Sequence, residues 1–335
     1  MRIMVTGVAG FIGFHVASRL LERGDEVVGI DNLNEYYDPA IKKARLERLS
    51  TRKTFHFSRL DVADNKGFLA CYERERPNRT IHLAAQAGVR YSLLCPQAYV
   101  DSNLTGFLNI LEACRHHGTE HLVFASSSSV YGANKKPGFA TRDGVDHPIS
   151  LYAATKRANE LMAHSYSHLF SVPATGLRFF TAYGPWGRPD MALFIFTRKI
   201  LRGEPIPVFN HGRHSRDFTY IDDIAEGVIR VVDRPPMADP NYDWTSPTPE
   251  SGSAAFKLYN IGHGVSVPLL DYVKAIEEEL GIRATYEMLP MQPGDVESTV
   301  ADISAFREEF GYIPETSVKD GVTRFVRWYK DFYKI

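Results

Sequence analysis

Cysteine is scarce in this chain: Cys71, Cys95 and Cys114 are all there is in 335 residues. They form no C-x-x-C and cannot all pair, which fits structural thiols in a reducing compartment. No Cys/His cluster of the zinc-binding kind accompanies them, so no metal site is expected. No apolar run reaches membrane-spanning length, and no signal-peptide core precedes the first strand pattern. A cytoplasmic protein with no membrane partner is therefore expected. Charge of either sign is not in excess. With 39 basic and 40 acidic residues the net charge is −1, which offers no electrostatic attraction for nucleic acid. Internal repeats and low-complexity tracts are absent too. What remains is an ordinary globular composition, 44% apolar and 24% charged, long enough for one large or two modest domains.

The chain begins with a strand pattern at Arg2–Thr6, followed by Gly7-Val8-Ala9-Gly10-Phe11-Ile12-Gly13 and a helical pattern over Phe14–Arg23. A second strand, Glu26–Ile30, ends at Asp31. Glycines between a strand and a helix let the backbone approach a pyrophosphate, whose charge then sits at the helix N-terminus. An acid closing the second strand accepts the ribose hydroxyls of an adenosine. No arginine follows Asp31, only Asn32-Leu33-Asn34. A 2′-phosphate would meet uncompensated repulsion there, so NAD is expected rather than NADP.

Strand and helix patterns keep alternating. Strands are expected at Phe55–Leu60, Thr80–Leu83, His121–Ala125 and Val172–Arg178. Helices are expected at Asp64–Arg76, Pro96–His117 (broken near its start) and Ser150–Phe170. Such alternation predicts an α/β fold: a Rossmann-type, doubly wound parallel sheet with ligands at the strand carboxyl ends. After Thr181 the alternation stops. Helices are expected at Pro189–Arg202, Ile221–Val232, Pro268–Leu280, Ile303–Phe310 and Val318–Lys334, with a strand at Leu258–Ile261. We expect a dinucleotide-binding domain over residues 1–180, with returning segments from about 213 to 262. A smaller, interleaved α/β substrate domain takes the rest of 181–335. The stretch Arg234–Ser253 reads as an exposed loop, either a passive insertion or a flap. The long helices Pro96–His117 and Ser150–Phe170 suit a homodimer interface, and suit ordinary sheet-covering helices equally well.

The chemistry centres on Tyr152-Ala153-Ala154-Thr155-Lys156. Four residues apart on a helix, the two side chains share a face. An ammonium beside a phenol favours the phenolate, which then removes a proton from a hydroxyl near neutral pH. The spacing alone is weak, since 17 Tyr and 39 Lys+Arg give about two such pairs by chance. Its surroundings strengthen it. Ser126-Ser127-Ser128-Ser129-Val130-Tyr131-Gly132 opens directly from a buried strand, and its hydroxyls are expected at the nicotinamide end of the cofactor.

Together Gly7-x-x-Gly10-x-x-Gly13, Asp31, the serine run and Tyr152-x-x-x-Lys156 resemble the extended short-chain dehydrogenase/reductase family over essentially the whole chain. Four further stretches narrow the resemblance to the UDP-glucuronate 4-epimerases: His82-Leu83-Ala84-Ala85-Gln86-Ala87-Gly88-Val89-Arg90, Leu177 to Met191, Arg216 to Asp223, and Met291-Gln292-Pro293-Gly294-Asp295-Val296. The resemblance implies catalytic roles for Tyr152 (base on the sugar 4-hydroxyl), Lys156 (ribose contact and pKa) and Ser127 (proton partner). It implies NAD contacts from Gly7, Gly10, Phe11, Ile12, Gly13, Asp31, Asn32, Asp61, Val62, Leu83, Ala84, Ala85, Gln86 and Asn103, besides Tyr152 and Lys156. It implies a UDP-sugar substrate held by Arg90, Ser127, Ser128, Ser129, Tyr152, Thr181, Arg188, Val208, Phe209, Arg216, Gln292 and Asp295. Related glucose epimerases carry Arg where Gln292 stands, so the second diphosphate contact departs from their pattern.

Redox chemistry suits such a substrate. A sugar C4–H is not acidic, so inversion there needs oxidation to the 4-ketone, rotation of the ring and reduction from the other face. A uronate adds a hazard, because a carboxylate β to that ketone can leave as CO₂. Ser128, Ser129 and Thr181, with Arg188 near, are the candidates to hold it. Related dehydratases and decarboxylases place an acid just before the Val-Tyr-Gly, where this chain has Ser128 and Ser129. The expected activity is therefore 4-epimerisation of UDP-glucuronate to UDP-galacturonate. The alternatives are a neutral UDP-hexose 4-epimerase, a decarboxylase and a non-catalytic NAD sensor.

Overall fold

Alternating apolar patterns set the element order. In the computed structural model, which describes residues 1–335, the chain runs β1 (Arg2–Thr6), α1 (Phe11–Glu22), β2 (Glu26–Asp31), α2 (Pro39–Leu49), β3 (Phe55–Arg59), α3 (Asn65–Glu75) and β4 (Arg79–His82). Two single turns, α4 (Tyr91–Leu94) and α5 (Pro96–Tyr99), lead through a wide helical turn at Val100–Thr105 into α6 (Gly106–His117). Next come β5 (His121–Ser127), α7 (Leu151–Phe170), β6 (Ala174–Phe179), β7 (Thr181–Tyr183), α8 (Ala192–Leu201), β8 (Ile206–Val208) and β9 (Ser215–Tyr220). The chain ends with α9 (Ile221–Val232), β10 (Phe256–Ile261), β11 (Ser266–Pro268), α10 (Leu269–Leu280), β12 (Tyr286–Met288), α11 (Ser304–Phe310) and α12 (Val318–Tyr333).

Seven strands form one sheet in the order β10-β6-β5-β4-β1-β2-β3, and every pairing in it is parallel. Both faces are buried, as a parallel sheet requires. Ile3 and Val5 of β1 point into one core cluster with Val27, Ile81, Val123 and Leu177. Met4 points the other way, into a second cluster with Val28, Leu122, Phe124 and Phe256. The direction of strand order reverses between β1 and β4, which opens a crevice at their carboxyl ends. Two small sheets flank the large one: β11-β9-β7 and β12-β8. No helix is long and apolar enough to cross a membrane.

Several boundaries differ from the sequence reading. Helix α1 starts at Phe11, three residues before the expected Phe14, because Gly10 already adopts an extended cap conformation. Helix α2 was not expected at all. Its buried face is Ile41, Lys42, Arg45, Leu46 and Leu49, and two cations in that set hide the apolar stripe. The Asp38-Pro39 start, with Asp38 accepting from Ala40 N–H at 2.9 Å, was the available signal. Strand β5 extends through Ser126 and Ser127. The expected break after Pro96 is the wide turn that precedes α6. Loop 234–253 lies against α7, with Gly252 beside His164, and none of its residues lines the large cavity described below. A flap over that cavity is not its position.

Helix α7 is fixed to the sheet by an ion pair with no exposed surface on either side chain. Arg178 of β6 donates from Nε to Glu160 Oε1 at 2.8 Å and from Nη2 to Oε2 at 3.0 Å. Ser126 of β5 donates to the same carboxylate at 2.6 Å. Burial pushes the Glu160 pKa up, but the Arg178 charge more than reverses this and holds the carboxyl below its usual value. Removing Arg178 leaves the buried Glu160 carboxylate with Arg157 alone, at 3.1 Å, as a charged partner. We expect Arg178→Met to cost about 3 kcal/mol, seen as a lower Tm, and Glu160→Gln/Arg178→Met to cost less than the single change. Equal Tm for Arg178→Met and the parent chain would contradict this account.

Candidate active site

The crevice at the strand carboxyl ends deepens into a cavity of about 630 Å³, within the range of small-molecule sites. One end is built by the glycine loop. Gly7 has φ +71°, and a Cβ on it would sit 2.7 Å from Ala84 N. A Cβ on Gly13 would lie 2.1 Å from Gly7 O. These contacts force β1, α1 and the end of β4 together. No side chain caps the N-terminus of α1 and no acid lies in its first turn, so its free N–H groups and dipole face the cavity as an anion site. Asp31 accepts from Ala9 N–H at 3.1 Å and Leu33 N–H at 2.8 Å. Burial raises its pKa, opposed first by the Leu33 N–H and then by the Lys42 charge. Asn32 donates to Asp61 at 2.8 Å, joining two further expected contacts.

The middle of the cavity carries the expected reacting groups. Ser150 caps α7 by accepting from Ala153 N–H at 3.1 Å, which sets the first turn where Tyr152 stands. Ser127, Tyr152 and Lys156 all line the cavity. Lys156 donates from Nζ to Ala125 O at 2.8 Å. Burial lowers its pKa to about 8, with the Glu160 carboxylate pulling it back up. Burial raises the Tyr152 phenol, while the Ser127 hydroxyl and then the Arg188 charge pull it down. Ser127 Oγ also accepts from Ser129 N–H at 3.2 Å, which turns the chain so that Ser128 and Ser129 reach the wall.

At the far end Thr181, Arg188, Phe209, Arg216 and Asp295 line the same space. Arg90 donates to Asp295 at 3.3 Å and its guanidinium lies 4.8 Å from the Phe209 ring centre. Arg216 donates to the Ser215 and Glu297 carbonyls at 2.8 and 3.0 Å and has no carboxylate partner. Burial lowers its pKa, opposed by Asp295. Two buried polar atoms in this wall lack any partner: Gln86 Nε2 and His214 Nε2. Both belong to cavity-lining residues, and a polar ligand is what satisfies such groups. The glycine cradle, the uncapped helix, Asp31 and the orphaned Gln86 amide together fit a dinucleotide.

Three expected site residues are placed differently, and a fourth lines the cavity but spends its hydroxyl elsewhere. Asn103 stands behind the wall, exchanging hydrogen bonds with Gln86 N–H and C=O at 2.8 and 3.1 Å; it positions Gln86 and does not line the cavity. Val208 faces the core with no exposure, because alternate residues of a strand point opposite ways, and its neighbours Pro207 and Phe209 line the cavity instead. Gln292 is off the wall and shapes a turn through its carbonyl, which accepts from Asp295 N–H at 3.2 Å. Ser126, in the run expected at the nicotinamide end, spends its hydroxyl on Glu160. The sequence reading also missed Tyr36, Lys42, Asp190 and His214, all in the wall. Lys42 reaches it from the unexpected α2 and bears on Asp31, so the charge there is partly compensated after all. His164 and His168 stand one turn apart on α7, but no group of three or more potential ligands exists.

The chain is 58% identical to an uncharacterised 37.6 kDa protein of Escherichia coli O111:H-, over 100% of both chains. It is 48% identical to a Rhizobium meliloti protein named "Probable UDP-glucuronate 4-epimerase", over 100% of this chain and 98% of the relative. The fold matches the crystal structure of UDP-glucuronic acid 4-epimerase from Bacillus cereus, in complex with UDP-glucuronic acid and NAD, with a TM-score of 0.88. That match covers 99% of this chain and 100% of the other at 32% identity. The sequence model of the NAD dependent epimerase/dehydratase family spans residues 3–244, taking in the glycine loop, Asp31 and the Tyr152–Lys156 pair, and this chain belongs to that family.

Proposed function

We propose that the chain is an NAD-dependent UDP-glucuronate 4-epimerase, converting UDP-glucuronate to UDP-galacturonate through a transient 4-ketone. The observation that carries this reading is the joint placement of Ser127, Tyr152 and Lys156 with Ser128, Ser129 and Thr181 in one cavity. Bound NAD supplies the oxidising and reducing power at C4. Tyr152 takes the proton of the 4-hydroxyl, sharing it with Ser127, and returns it after the ring has turned. Lys156, held by the Ala125 carbonyl, contacts the nicotinamide ribose, while the Ser127 hydroxyl and the Arg188 charge pull the Tyr152 phenol down. Asp31 takes the adenosine ribose, with Asn32, Asp61 and Val62 beside it, and the α1 N-terminus takes the pyrophosphate of the cofactor. Arg216 and Arg90 take the diphosphate of the substrate, and Phe209 and Asp295 its uridine.

The C6 carboxylate falls to Ser128, Ser129 and Thr181. Hydroxyl donors hold it in position, keeping the C5–C6 bond out of line with the π system of the ketone. No acid stands in Ser126–Ser129, and the four cavity aspartates are already engaged: Asp31 with Ala9 and Leu33, Asp61 with Asn32, Asp190 with Arg188, Asp295 with Arg90. None is free to protonate a leaving group, which argues against dehydration. One observation favours neutral UDP-hexoses: Arg188 is already paired with Asp190.

The cofactor domain is proposed as residues 1–180 with a returning segment inside 213–262. Support comes from β10, which joins the large sheet beside β6; Ser215–Tyr220 at its start pairs with β7 of the small sheet instead. A homodimer is proposed through α6 and α7, whose outer faces expose Leu108, Leu161, Leu169 and Phe170. Cytoplasmic location is proposed from three unpaired cysteines.

The purified protein, given no added NAD, is expected to convert UDP-glucuronate and leave UDP-glucose and UDP-galactose unchanged. Conversion of only the neutral sugars, or release of a UDP-pentose, would sink the assignment. Tyr152→Phe is expected to abolish turnover while the protein still carries NAD; full activity would remove Tyr152 as the base. Thr181→Ala is expected to raise KM for the uronate or to yield some UDP-pentose. Unchanged kinetics with no pentose would refute its role at the carboxylate.

A further inference from the structure

Arg188 is held unlike the other cations of the cavity. Its Nε donates to Asp190 Oδ1 at 3.0 Å and its Nη2 to Oδ2, so one edge of the guanidinium takes both carboxylate oxygens. Tyr36 donates its phenol to Oδ2 at 3.0 Å. All three side chains line the cavity. The loop beneath them is anchored independently. Arg45 of α2, fully buried, donates to the Trp186 carbonyl at 2.5 Å and the Gly187 carbonyl at 3.2 Å. His15 of α1 bonds to the Pro185 carbonyl at 3.0 Å. The backbone of residues 185–187 is therefore held without Asp190, and the carboxylate serves a purpose other than propping the loop.

Resting on the UDP-glucuronate reading, we propose that Asp190 is a specificity- and rate-setting residue: it competes with the sugar's C6 carboxylate for Arg188. Bidentate arginine–carboxylate pairs are among the strong, directional hydrogen-bonded contacts in proteins. An unpaired guanidinium at this position would grip the uronate in that way. The reaction demands the opposite, because the ring must turn between oxidation and reduction and its carboxylate must change partners as it goes. Tight binding of one orientation lowers the ground state without helping the step that follows. With Asp190 in place the pair brings no net charge to the sugar. The carboxylate then relies on the hydroxyls of Ser128, Ser129 and Thr181, which exchange partners readily, and on the unengaged Nη1 of Arg188. Tyr36 tethers Asp190 so that it stays on the arginine and does not repel the substrate.

Asp190→Asn tests this, since it removes the charge and keeps both the shape and an acceptor for Tyr36. By calorimetry on the NAD-loaded protein, Kd for UDP-glucuronate is expected to fall about fivefold or more, and Kd for UDP-glucose to change less than about twofold. In turnover of the uronate, KM and kcat are expected to fall together, and reduced nicotinamide to accumulate in the steady state. Unchanged or weaker uronate binding, or an unchanged kcat, overturns the proposal. Asp190→Ser carries the same expectations should the Asn variant not fold. Arg188→Gln/Asp190→Asn separates screening from support: kcat is expected to rise about threefold over Asp190→Asn alone, whereas an equal or lower kcat means Asp190 only holds the loop. A parent chain that converts no uronate removes the functional reading. The binding comparison still decides the role of Asp190, because tightening needs no turnover.

Discussion

Helix α7 has to lie in one place on the sheet for any of the chemistry to be available, and the buried Glu160 carboxylate determines that place. It sits one helical turn beyond Lys156, on the face that meets β5 and β6. Ser126 and Arg178 reach it from those two strands. Because adjacent residues of a strand point to opposite faces, turning Ser126 toward Glu160 sends Ser127 toward the cavity and Tyr152. The same carboxylate raises the Lys156 pKa against the effect of burial. One ion pair thus sets the register of the helix, the aim of the serine and the charge of the lysine. Such a pair adds little net stability over a well-packed apolar core, and what it supplies here is position.

A second set of contacts keeps the two ends of the cavity in step. Arg45 holds the Ala9 carbonyl of the glycine loop at 2.7 Å while its other nitrogen holds the carbonyls before Arg188. His15 adds a link from α1 to Pro185. Trp186, at φ +62°, packs against Phe14 and Trp328. The loop that presents Arg188 and Asp190 is thus built onto the helix and turn that would cradle the cofactor, so the sugar end cannot shift without disturbing the nucleotide end.

Much of this was legible from residue order. The glycine loop, Asp31, the serine run and Tyr152–Lys156 announce themselves because each sits where a strand stops, and strand ends are visible as switches in apolar period. The parallel sheet followed from the same alternation. What escaped was set by tertiary contact. Helix α2 shows no apolar stripe because Lys42 and Arg45 fill its buried face, and their partners are distant in sequence. Val208 faces the core and Pro207 and Phe209 the cavity, a phase that local pattern does not set in a three-residue strand. Asn103, expected at the cofactor, hydrogen-bonds the Gln86 backbone behind the wall, a tertiary contact that residue order does not show. Asp190 was seen only as part of a motif; its meaning depends on Tyr36, 154 positions away.

The account stands on C4 being oxidised and reduced by a cofactor that never leaves. UDP-glucuronate carrying deuterium at C4 tests that most directly, incubated in ordinary water with the purified protein and followed by NMR of the product. The account predicts UDP-galacturonate with deuterium fully retained at C4, whether or not unlabelled NAD is added. Protium appearing at C4 of the product would contradict it, because the hydrogen would then have come from solvent or from a cofactor that exchanges.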